Sequence, residues 1–530
     1  MLLPLLLLLQ QDPLSVRPDT VHPANEAIHH DVRIVVGDSG NHVLGLVQTT
    51  WVLRSDSAVE VPLDTAFRVI RVLADGDEPG DMESVTFALL RGGGIYIPHR
   101  RHIGDTLHTS IRYHGFVHDG LIVRTDSSGR RTIFADNWPD RVHRWLPVTD
   151  HPSDKVTVDF HVEVPVGMSV VANGVLTRID TLAYRRRVWN FTMRQRIPPY
   201  GMVIGAGPLT TTTLPDAACE VKCVPLAVVT YPEDSAWATA VPFRRAGDMV
   251  DFYSRFIGPF PYDRLSHVES TTIFGGMENP TAIFYDGKAY PSHRLSELTV
   301  AHETAHQWFG DAVTERDWHH LWLSEGFATY FSALWLRHAD GDSAFQAEMR
   351  RDAEVVMRSP ASDRPILDPT ATDLMGLLNS NNYPKGAWVL HSLRGLIGDS
   401  AFQHGIRDWY ATYRDSTALS SDFSAVMGKA AGRDLDWYFR QMLTQPGFPK
   451  LEVSWSTQKP WALTLRQTQP EAWGLYRMPG LIIRVDGRDF TADVDGRETV
   501  VPLPGLQQAP RDVVVDPAGW WLAQVTVVGA

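Results

Sequence analysis

The spacing of apolar residues changes twice along this chain, and the two changes limit the folds that it can adopt. Over residues 25–230, apolar and polar residues alternate in short runs such as KVTVDFHVEVPV, which is typical of strands with one buried face. Over residues 236–448, apolar residues recur at i, i+3 and i+4, as in LWLSEGFATYFSALWLRHA, which is typical of helices. Strand-like runs such as LIIRVDG return after QPGFP. The sequence therefore predicts a β-rich, then a helical, then a second β-rich region.

A chain of 530 residues is too long for one compact core, so these regions are expected to fold as separate domains. We predict a leader over residues 1–24 and a β domain over 25–235 that is a sandwich or a large curved sheet. A mostly α-helical domain over 236–448 and a small β-sandwich over 449–530 follow. The predicted fold class is multidomain α+β.

The chain begins with an apolar leader, MLLPLLLLL. Nine residues are too few to cross a membrane, which takes about 20, but they fit the apolar region of a secretory signal peptide. We therefore expect export to the periplasm or the exterior. Because no Lys or Arg precedes the apolar run, a mis-assigned start and a cytoplasmic location stay open. No other segment is apolar enough to span a membrane.

Charge and cysteine content exclude several classes of protein. The net charge of −13, without basic clusters, argues against nucleic-acid binding. The two cysteines, Cys219 and Cys223, exclude a disulfide framework and an all-cysteine zinc site. On a straight strand they would lie roughly 13 Å apart, too far for a disulfide. A bridge therefore requires the segment to turn, and the sequence leaves both arrangements open.

The pentapeptide HETAH at 302–306 lies in a segment that is predicted to be helical. Residues four apart share one face of a helix, so the imidazoles of His302 and His306 can point at one metal ion. Glu303 is then close enough to act on a water molecule without being a ligand. The alternative is a solvated amphipathic helix with two unrelated histidines.

Eighteen residues (307–324) separate His306 from Glu325, which stands in the apolar run LWLSEGFATY. A catalytic zinc ion takes three protein ligands and leaves one position open, and two His with one Glu form such a set. A Glu among Leu, Trp, Phe and Tyr needs a positively charged partner, so we prefer a metal ligand to a buried helix-capping acid.

The segment GGMEN at 275–279 lies upstream of the histidines. Two glycines allow a backbone to approach a ligand closely, and Glu278 then offers a carboxylate beside an apolar stretch. Taken alone, the segment is equally well explained as a glycine-rich hairpin turn.

Together these motifs resemble the aminopeptidase N and leukotriene hydrolase family of zinc metallopeptidases, the gluzincin aminopeptidases. GGMEN precedes HETAH, and Glu325 follows at the family's spacing. WLPVTDHPSDK, IGPFPYDRL, YPKGAWVLHSL and LDWYFRQMLTQPGFP resemble further family segments. The resemblance runs from about residue 25 to the end of the chain.

The resemblance implies a saddle-like N-terminal β domain, a thermolysin-like catalytic domain and one zinc ion per chain. It implies that His302, His306 and Glu325 bind the zinc, that Glu303 is the general base, and that Tyr383 stabilises the developing oxyanion. Substrates would be peptides with a free N-terminus. The segment expected to bind their amino end consists of Gly275, Gly276, Met277, Glu278 and Asn279.

The chain departs from the family pattern at several positions. Ser324 replaces an Asn that often precedes the ligand Glu, and His319 and His320 stand where acidic residues are common. We interpret these histidines as packing or surface residues. Family members carry a second acid for the amino group upstream of the FP segment. Here Trp138 takes that position, so Asp136 or Asn137 is expected to substitute.

Two other functions remain as alternatives to an aminopeptidase. One is epoxide opening, as in leukotriene hydrolase, where a large helical C-terminal domain helps to bind the substrate. No such domain follows the small β region here, so we expect a more open site. The other is an inactive binding scaffold, which the intact set of motif residues disfavours.

Overall fold

The computed structural model describes residue 14 and residues 24–76, 81–125, 129–220 and 222–529. Buried apolar residues in these ranges form three clusters, each centred in one region of the predicted β-rich, helical, β-rich order, and two of them also include residues of neighbouring regions. The predicted multidomain α+β fold class is confirmed. The leader at residues 1–9 lies outside the described residues. In the part of the chain that is described, no helix combines the length and the apolar character needed to span a bilayer.

The N-terminal region is built from strands. Its largest sheet has the strand order β13-β14-β11-β1-β2-β8-β4-β5, with β1 and β11 parallel. Side chains of β11 alternate strictly between buried and half-buried, as the sequence pattern predicts. The strands are β1 (Glu26–Val36), β2 (His42–Val52), β3 (Ala58–Val61), β4 (Phe67–Asp75), β5 (Met82–Ser84), β6 (Ala88–Leu89), β7 (Ile95–Pro98), β8 (Thr106–Phe116), β9 (Leu121–Thr125), β10 (Arg131–Ala135), β11 (Val156–Pro165), β12 (Ser169–Ala172), β13 (Val175–Leu182), β14 (Arg186–Ile197) and β15 (Ile204–Gly207).

The middle region combines one sheet with a helical body. Its strands are β16 (Thr210–Ala217), β17 (Val224–Thr230), β18 (Leu265–Ser270), β19 (Gly276–Met277), β20 (Ala282–Asp286), β21 (Val313–Glu315) and β22 (Ser416–Ala418). Its helices are α1 (Ser235–Ala240), α2 (Ala246–Phe256), α3 (Glu297–His306), α4 (Trp322–Asp340), α5 (Asp342–Arg358), α6 (Gly386–Ile397), α7 (Asp399–Tyr413), α8 (Ser420–Ala431) and α9 (Asp436–Thr444).

The sheet of the middle region extends across the boundary predicted between residues 235 and 236. Its strand order is β16-β17-β18-β20-β19, so β16 and β17 pair with strands of the helical region. We therefore propose that the mostly helical domain begins near Thr210. The edge strand β19 carries Gly276 and Met277 to the side of α3.

The C-terminal region contains two small sheets around a shared core. Their orders are β27-β24-β23-β29 and β26-β25-β28. The strands are β23 (Lys450–Trp455), β24 (Ala462–Gln467), β25 (Met478–Val485), β26 (Arg488–Val494), β27 (Glu498–Pro502), β28 (Val513–Val515) and β29 (Gln524–Gly529).

The loop between β16 and β17 turns, which resolves the arrangement of the two cysteines. Cys219 lies in a turn, and its Cα is 3.9 Å from the Cα of Cys223. The two residues form a disulfide bond. The sequence alone left this bridge open because alternation of apolar residues does not reveal where a strand ends.

Candidate active site

Helix α3 presents both histidines of HETAH to one side. The helix begins after Ser296, whose hydroxyl accepts a hydrogen bond from the backbone NH of Thr299. Glu297 lies in the first turn, where its negative charge interacts favourably with the positive end of the helix dipole. Val300, Ala301 and Ala305 are buried against the core and fix the orientation of the helix. The rings of His302 and His306 consequently lie with their centroids 4.7 Å apart.

Three donor atoms converge where a metal ion could bind. His302 Nε2 and His306 Nε2 are 3.1 Å apart, and Glu325 Oε2 is 3.2 Å from the first and 3.3 Å from the second. Zinc bonds of about 2.0–2.1 Å at tetrahedral angles place neighbouring donors roughly 3.3 Å apart. The donor set and its spacing therefore fit a zinc ion with a fourth position open.

The surroundings of His306 fix which of its nitrogens is free. Nδ1 lies 3.0 Å from the carbonyl oxygen of Phe309 and 3.1 Å from Ser324 Oγ. A carbonyl can only accept a hydrogen bond, so Nδ1 carries the proton and Nε2 keeps its lone pair for a metal. Ser324 thus contacts a metal-ligand candidate directly.

Glu325 extends from the first turn of α4 toward His302 and His306. Its position depends on the very close packing of α4 against α6. A Cβ added at Gly326 would lie 2.8 Å from the Cα of Gly386, so the two backbones meet where neither has a side chain. This contact sets the distance between α4 and the turn before α6. Glu325 and Tyr383 are therefore brought together by two glycines.

Tyr383 lies in a π-helical turn, Asn381–Lys385, that leads into α6. Its hydroxyl donates a hydrogen bond of 2.8 Å to Glu325 Oε1, and its ring lies parallel to that of His302 at 6.0 Å. Turns of this kind occur frequently at functional sites. The structure thus places the predicted oxyanion donor beside the metal-ligand candidates.

Glu303 is buried against the GGMEN segment. A Cβ at Gly276 would lie 2.1 Å from Glu303 Oε1, so this carboxyl group occupies space that only a glycine leaves free. The ligand-type atoms of Glu278, Glu303 and His306 all lie within 4.8 Å of one another. Glu278 and Glu303 therefore form an acidic side of the same centre.

Glu278 is positioned by Gln307, the residue that follows HETAH. The Gln307 amide NH₂ donates to the backbone oxygen of Glu278 at 2.6 Å and to Asp311 Oδ2 at 2.7 Å. Its Oε1 accepts from the NH of Thr281 at 3.0 Å. Gln307 was not predicted from the sequence, although a polar residue in the apolar run after HETAH is a signal that could have identified it.

Burial and neighbouring charges shift the pKa values of these carboxyl groups, upward for Glu278 and Glu303 and downward for Glu325. Burial raises the pKa of Glu278 to about 7, opposed by His306 and assisted by Glu325. Burial raises the pKa of Glu303 well above its usual range. Burial acts in the same direction on Glu325, but His306 and His302 outweigh it and hold the pKa of that carboxyl below its ordinary value. Among the described residues, no Lys or Arg lies within ion-pair distance of Glu278.

Asp136 and Asn137 do not line the cavity that opens onto this centre, and their side chains have other partners. Asp136 accepts hydrogen bonds from Arg141 at 2.7 Å and from the NH of Ile273 at 3.1 Å. Asn137 donates to the oxygen of Met202 and accepts from the Trp145 indole. Both side chains are thus engaged within the fold, and neither is placed to substitute for the second acid that the resemblance implies.

Other predicted residues fall outside the cavity lining too. Asn279 is buried, with a weak 3.5 Å contact to the oxygen of Met277. His319 and His320 are buried, at 3.1 Å from the Ala371 oxygen and 2.8 Å from Ser420 Oγ respectively. These contacts are those of packing histidines.

A cavity of about 360 Å³ opens onto the centre. Trp138 lines it beside Phe274, and their rings meet edge to face. The lining contains Gly275, Gly276, Met277, Glu278, Leu298, Thr299, His302, Glu303, His306, Glu325, Thr329, Ser332, Glu348, Asp352, Leu378 and Tyr383. Two of these residues, Glu348 and Asp352 on α5, were not predicted from the sequence.

Comparison with known proteins shows similarity to one peptidase family and to several aminopeptidases. The family model described as Peptidase family M1 domain matches residues 244–442. The chain is 26% identical over 383 residues to a leucyl aminopeptidase of Saccharolobus solfataricus, covering 67% of this chain and 47% of that protein. It is 27% identical over 392 residues to an aminopeptidase N of Streptomyces lividans, covering 67% and 45%. The chain spans somewhat less than half the length of these curated relatives.

Solved structures extend the likeness beyond the catalytic region. An M1 zinc metallopeptidase from Deinococcus radiodurans matches with a TM-score of 0.71 and 25% identity, covering 81% of this chain and 95% of that chain. A mutant of that protein bound to a Tyr-Ser-Ala substrate matches with a TM-score of 0.70 and 25% identity, over 79% of this chain and 94% of that one.

Proposed function

Because this chain belongs to the M1 family of zinc metallopeptidases, we propose that it is a zinc-dependent aminopeptidase that removes amino acids from the N-terminus of peptides. The observation that carries the proposal is the convergence of His302, His306 and Glu325 at 3.1–3.3 Å, with Glu278 and Glu303 on one side. A metal-ligand set supports a hydrolase, and a buried acid beside it supports recognition of an ammonium group. The relatives named above are peptidases, and no described feature favours epoxide opening or an inactive scaffold.

One zinc ion per chain would be held by His302, His306 and Glu325. When bound, zinc supplies Lewis-acid chemistry, which activates water and polarises the scissile carbonyl group. The hydrogen bond that His306 Nδ1 donates to the Phe309 carbonyl, with Ser324 beside it, would orient that ring for metal binding.

Three further side chains have distinct tasks in the proposed reaction. Glu303 accepts a proton from the attacking water and returns it to the leaving amine. Tyr383 donates its hydroxyl proton in a hydrogen bond to the oxyanion that develops on the carbonyl oxygen. Glu278 pairs with the free α-ammonium group of the substrate and so sets the distance from the N-terminus to the scissile bond.

Metal analysis tests the proposed centre. We expect the purified protein to contain about one zinc per chain and to lose activity with a strong chelator. Glu325→Ala removes one of three ligands and is expected to lose most of the metal, whereas the exposed Glu354→Ala on α5 should retain it. Elemental analysis of both variants is the measurement. A wild-type protein that neither contains nor takes up zinc would contradict the proposal.

The variant Tyr383→Phe tests the oxyanion role. It removes one hydroxyl group and is expected to lower kcat by roughly 10²–10³-fold, the usual effect of losing one oxyanion donor. KM should change much less, because the interaction forms mainly in the transition state. Steady-state kinetics on an aminoacyl p-nitroanilide measure both constants, with the exposed Tyr184→Phe as the control. An unchanged kcat with a raised KM would instead assign Tyr383 to substrate binding.

Export stays a prediction, and the disulfide between Cys219 and Cys223 supports it. Disulfides persist mainly in oxidising compartments outside the cytoplasm. The disulfide and the apolar leader are independent features, and both are typical of exported proteins.

A further inference from the structure

The cavity contains a second acidic site, which the proposed chemistry leaves unused. Glu348 and Asp352 stand one turn apart on α5, and both line the cavity. Asp352 is only 9% exposed, and its Oδ2 has no hydrogen-bond partner among the described residues. Arg351 is 3.8 Å from Glu348 Oε2, but its side chain is 74% exposed and faces solvent. The acidic site thus has a buried carboxyl oxygen without a partner among the described residues, and two acids beside a single, exposed arginine.

Asp352 occupies a position where helix α5 would ordinarily carry an apolar side chain. The buried residues of this helix are Phe345, Met349, Asp352 and Val356, at spacings of four, three and four. This spacing is the buried stripe of an amphipathic helix. A buried carboxyl group without a partner is unfavourable, so an acid in this stripe indicates a ligand that compensates it.

The position of this acid along the cavity follows from the two helices that carry the metal-ligand candidates. Glu278 lies near His306, at the C-terminal end of α3, whereas Leu298 lines the cavity eight residues earlier, about 12 Å along the helix axis. On α4 the lining continues from Glu325 to Ser332, about 10 Å further. The cavity therefore extends away from Glu278, past the three metal-ligand candidates, toward α5, which packs against α4 and adds Glu348 and Asp352 to the lining.

A bound peptide would follow the same direction. With its ammonium group at Glu278 and its scissile carbonyl at the metal centre, the chain beyond the scissile bond runs toward the Asp352 end. The first side chain there belongs to the second residue of the peptide. Burial, with help from Glu348 and against Arg351, raises the pKa of Asp352 to about 7, and a bound cation would restore the charged form.

We propose that Asp352, with Glu348 beside it, selects peptides whose second residue is basic, with arginine preferred. Arginine offers a planar fork of donors that matches a carboxylate, and its stem is apolar enough for the rest of the cavity. This inference rests on the proposed aminopeptidase function, because Glu278 must hold the N-terminus for the second residue to reach α5.

The test compares the peptide Ala-Arg-Ala-Ala with the same peptide carrying citrulline in place of arginine. Citrulline keeps the shape of arginine and removes its charge. We expect wild-type kcat/KM to be roughly 10- to 100-fold higher for the arginine peptide, the usual range for hydrogen bonds to charged groups. Asp352→Asn should bring this ratio close to one, and Glu348→Gln should lower it in part. Glu354→Gln, an exposed acid on the same helix, should keep the wild-type ratio.

A thermal unfolding measurement separates substrate selection from a structural role. Because the pKa of Asp352 is raised in the folded protein, ionisation of Asp352 lowers stability as the pH rises through the unfolded value toward 7. Asp352→Asn removes that cost, so its Tm at pH 8 should equal or exceed the wild-type Tm. A lower Tm together with an unchanged arginine-to-citrulline ratio would overturn the proposal and make Asp352 a structural residue.

The outcomes also separate this inference from the proposed function. Cleavage of both peptides at equal rates by the wild type overturns the selectivity and leaves the aminopeptidase standing. A preference for arginine in the first position, but not in the second, overturns the placement of Asp352. If neither peptide is cleaved, calorimetry with the Glu303→Gln variant measures the two dissociation constants directly. Equal affinities would then overturn the selectivity as well.

Discussion

Replacing Glu303 with glutamine is expected to lower kcat by roughly 10²–10⁴-fold while the protein keeps its zinc. Glutamine has nearly the same shape as glutamate, so the close packing against Gly276 is preserved. What disappears is the ability to accept a proton from water. Glu303 lies beside His302, His306 and Glu325 but is not one of these three proposed ligands, so we expect zinc binding not to depend on its charge.

Kinetics and metal content must be measured on the same preparation. An aminoacyl p-nitroanilide gives kcat and KM, elemental analysis gives the zinc content, and a melting curve shows whether the variant is folded. Glu354→Gln removes the same charge at an exposed site and should behave as the wild type. A kcat within a few-fold of wild type in Glu303→Gln would show that another group is the base.

The sequence predicted the helix that carries HETAH and the position of Glu325 because both depend on local spacing. Residues four apart on α3 must share a face, and an acid in an apolar run must find a positive partner. The order of the β-rich and helical regions could also be predicted from the sequence, because strand alternation and helical periodicity are local signals. In these respects the fold class and the central part of the candidate site follow from the amino-acid sequence alone.

Contacts between residues that are far apart in the sequence could not be predicted in this way. Asp136 accepts a hydrogen bond from the NH of Ile273, which is 137 residues away in the sequence. Asn137 donates to the oxygen of Met202, which is 65 residues away. Nothing in the sequence ADNWPDRV shows that these side chains are already engaged. The strands β16 and β17 have the same alternation as the strands before them, so periodicity could not show that they pair with the sheet of the middle region.

Asp352 was missed for a different reason. Charged residues on an amphipathic helix usually belong to its solvated face, and AEMRRDAEVVMR contains several of them. Only the register of Phe345, Met349 and Val356 shows that this one acid shares the buried stripe. A helix register can be derived from sequence, whereas the cavity that the stripe borders cannot.

The expected difference between blocked and free peptides decides between an aminopeptidase and an endopeptidase. A His-His-Glu zinc site serves both kinds of enzyme, so the choice rests on Glu278. This carboxylate is buried, and its backbone is fixed by Gln307, at a point within 4.8 Å of Glu303 and His306. An α-ammonium group can pair with it there, whereas an N-acetyl amide leaves it buried without a partner.

An N-acetylated peptide should therefore be a far poorer substrate than its free-amine counterpart. Loss of one partner of a buried charge pair typically costs about 2–5 kcal/mol, which corresponds to roughly 30- to several-thousand-fold in kcat/KM. Glu278→Gln should lower kcat/KM for the free peptide and leave the acetylated peptide nearly unaffected, so the gap between them narrows. Affinity and turnover should fall together, because a misplaced scissile bond also reacts more slowly.

The measurement is kcat/KM for the matched pair of peptides on the wild type and on Glu278→Gln, which forms a double-mutant cycle between the carboxylate and the ammonium group. We propose Glu278 for this pairing because Asp136 is bound to Arg141, and Trp138, which lines the cavity, carries no charge. The cycle should consequently assign most of the discrimination to one side chain. If the wild type cleaves blocked and free peptides equally, the aminopeptidase proposal is wrong, while the proposed zinc centre of His302, His306 and Glu325 is unaffected.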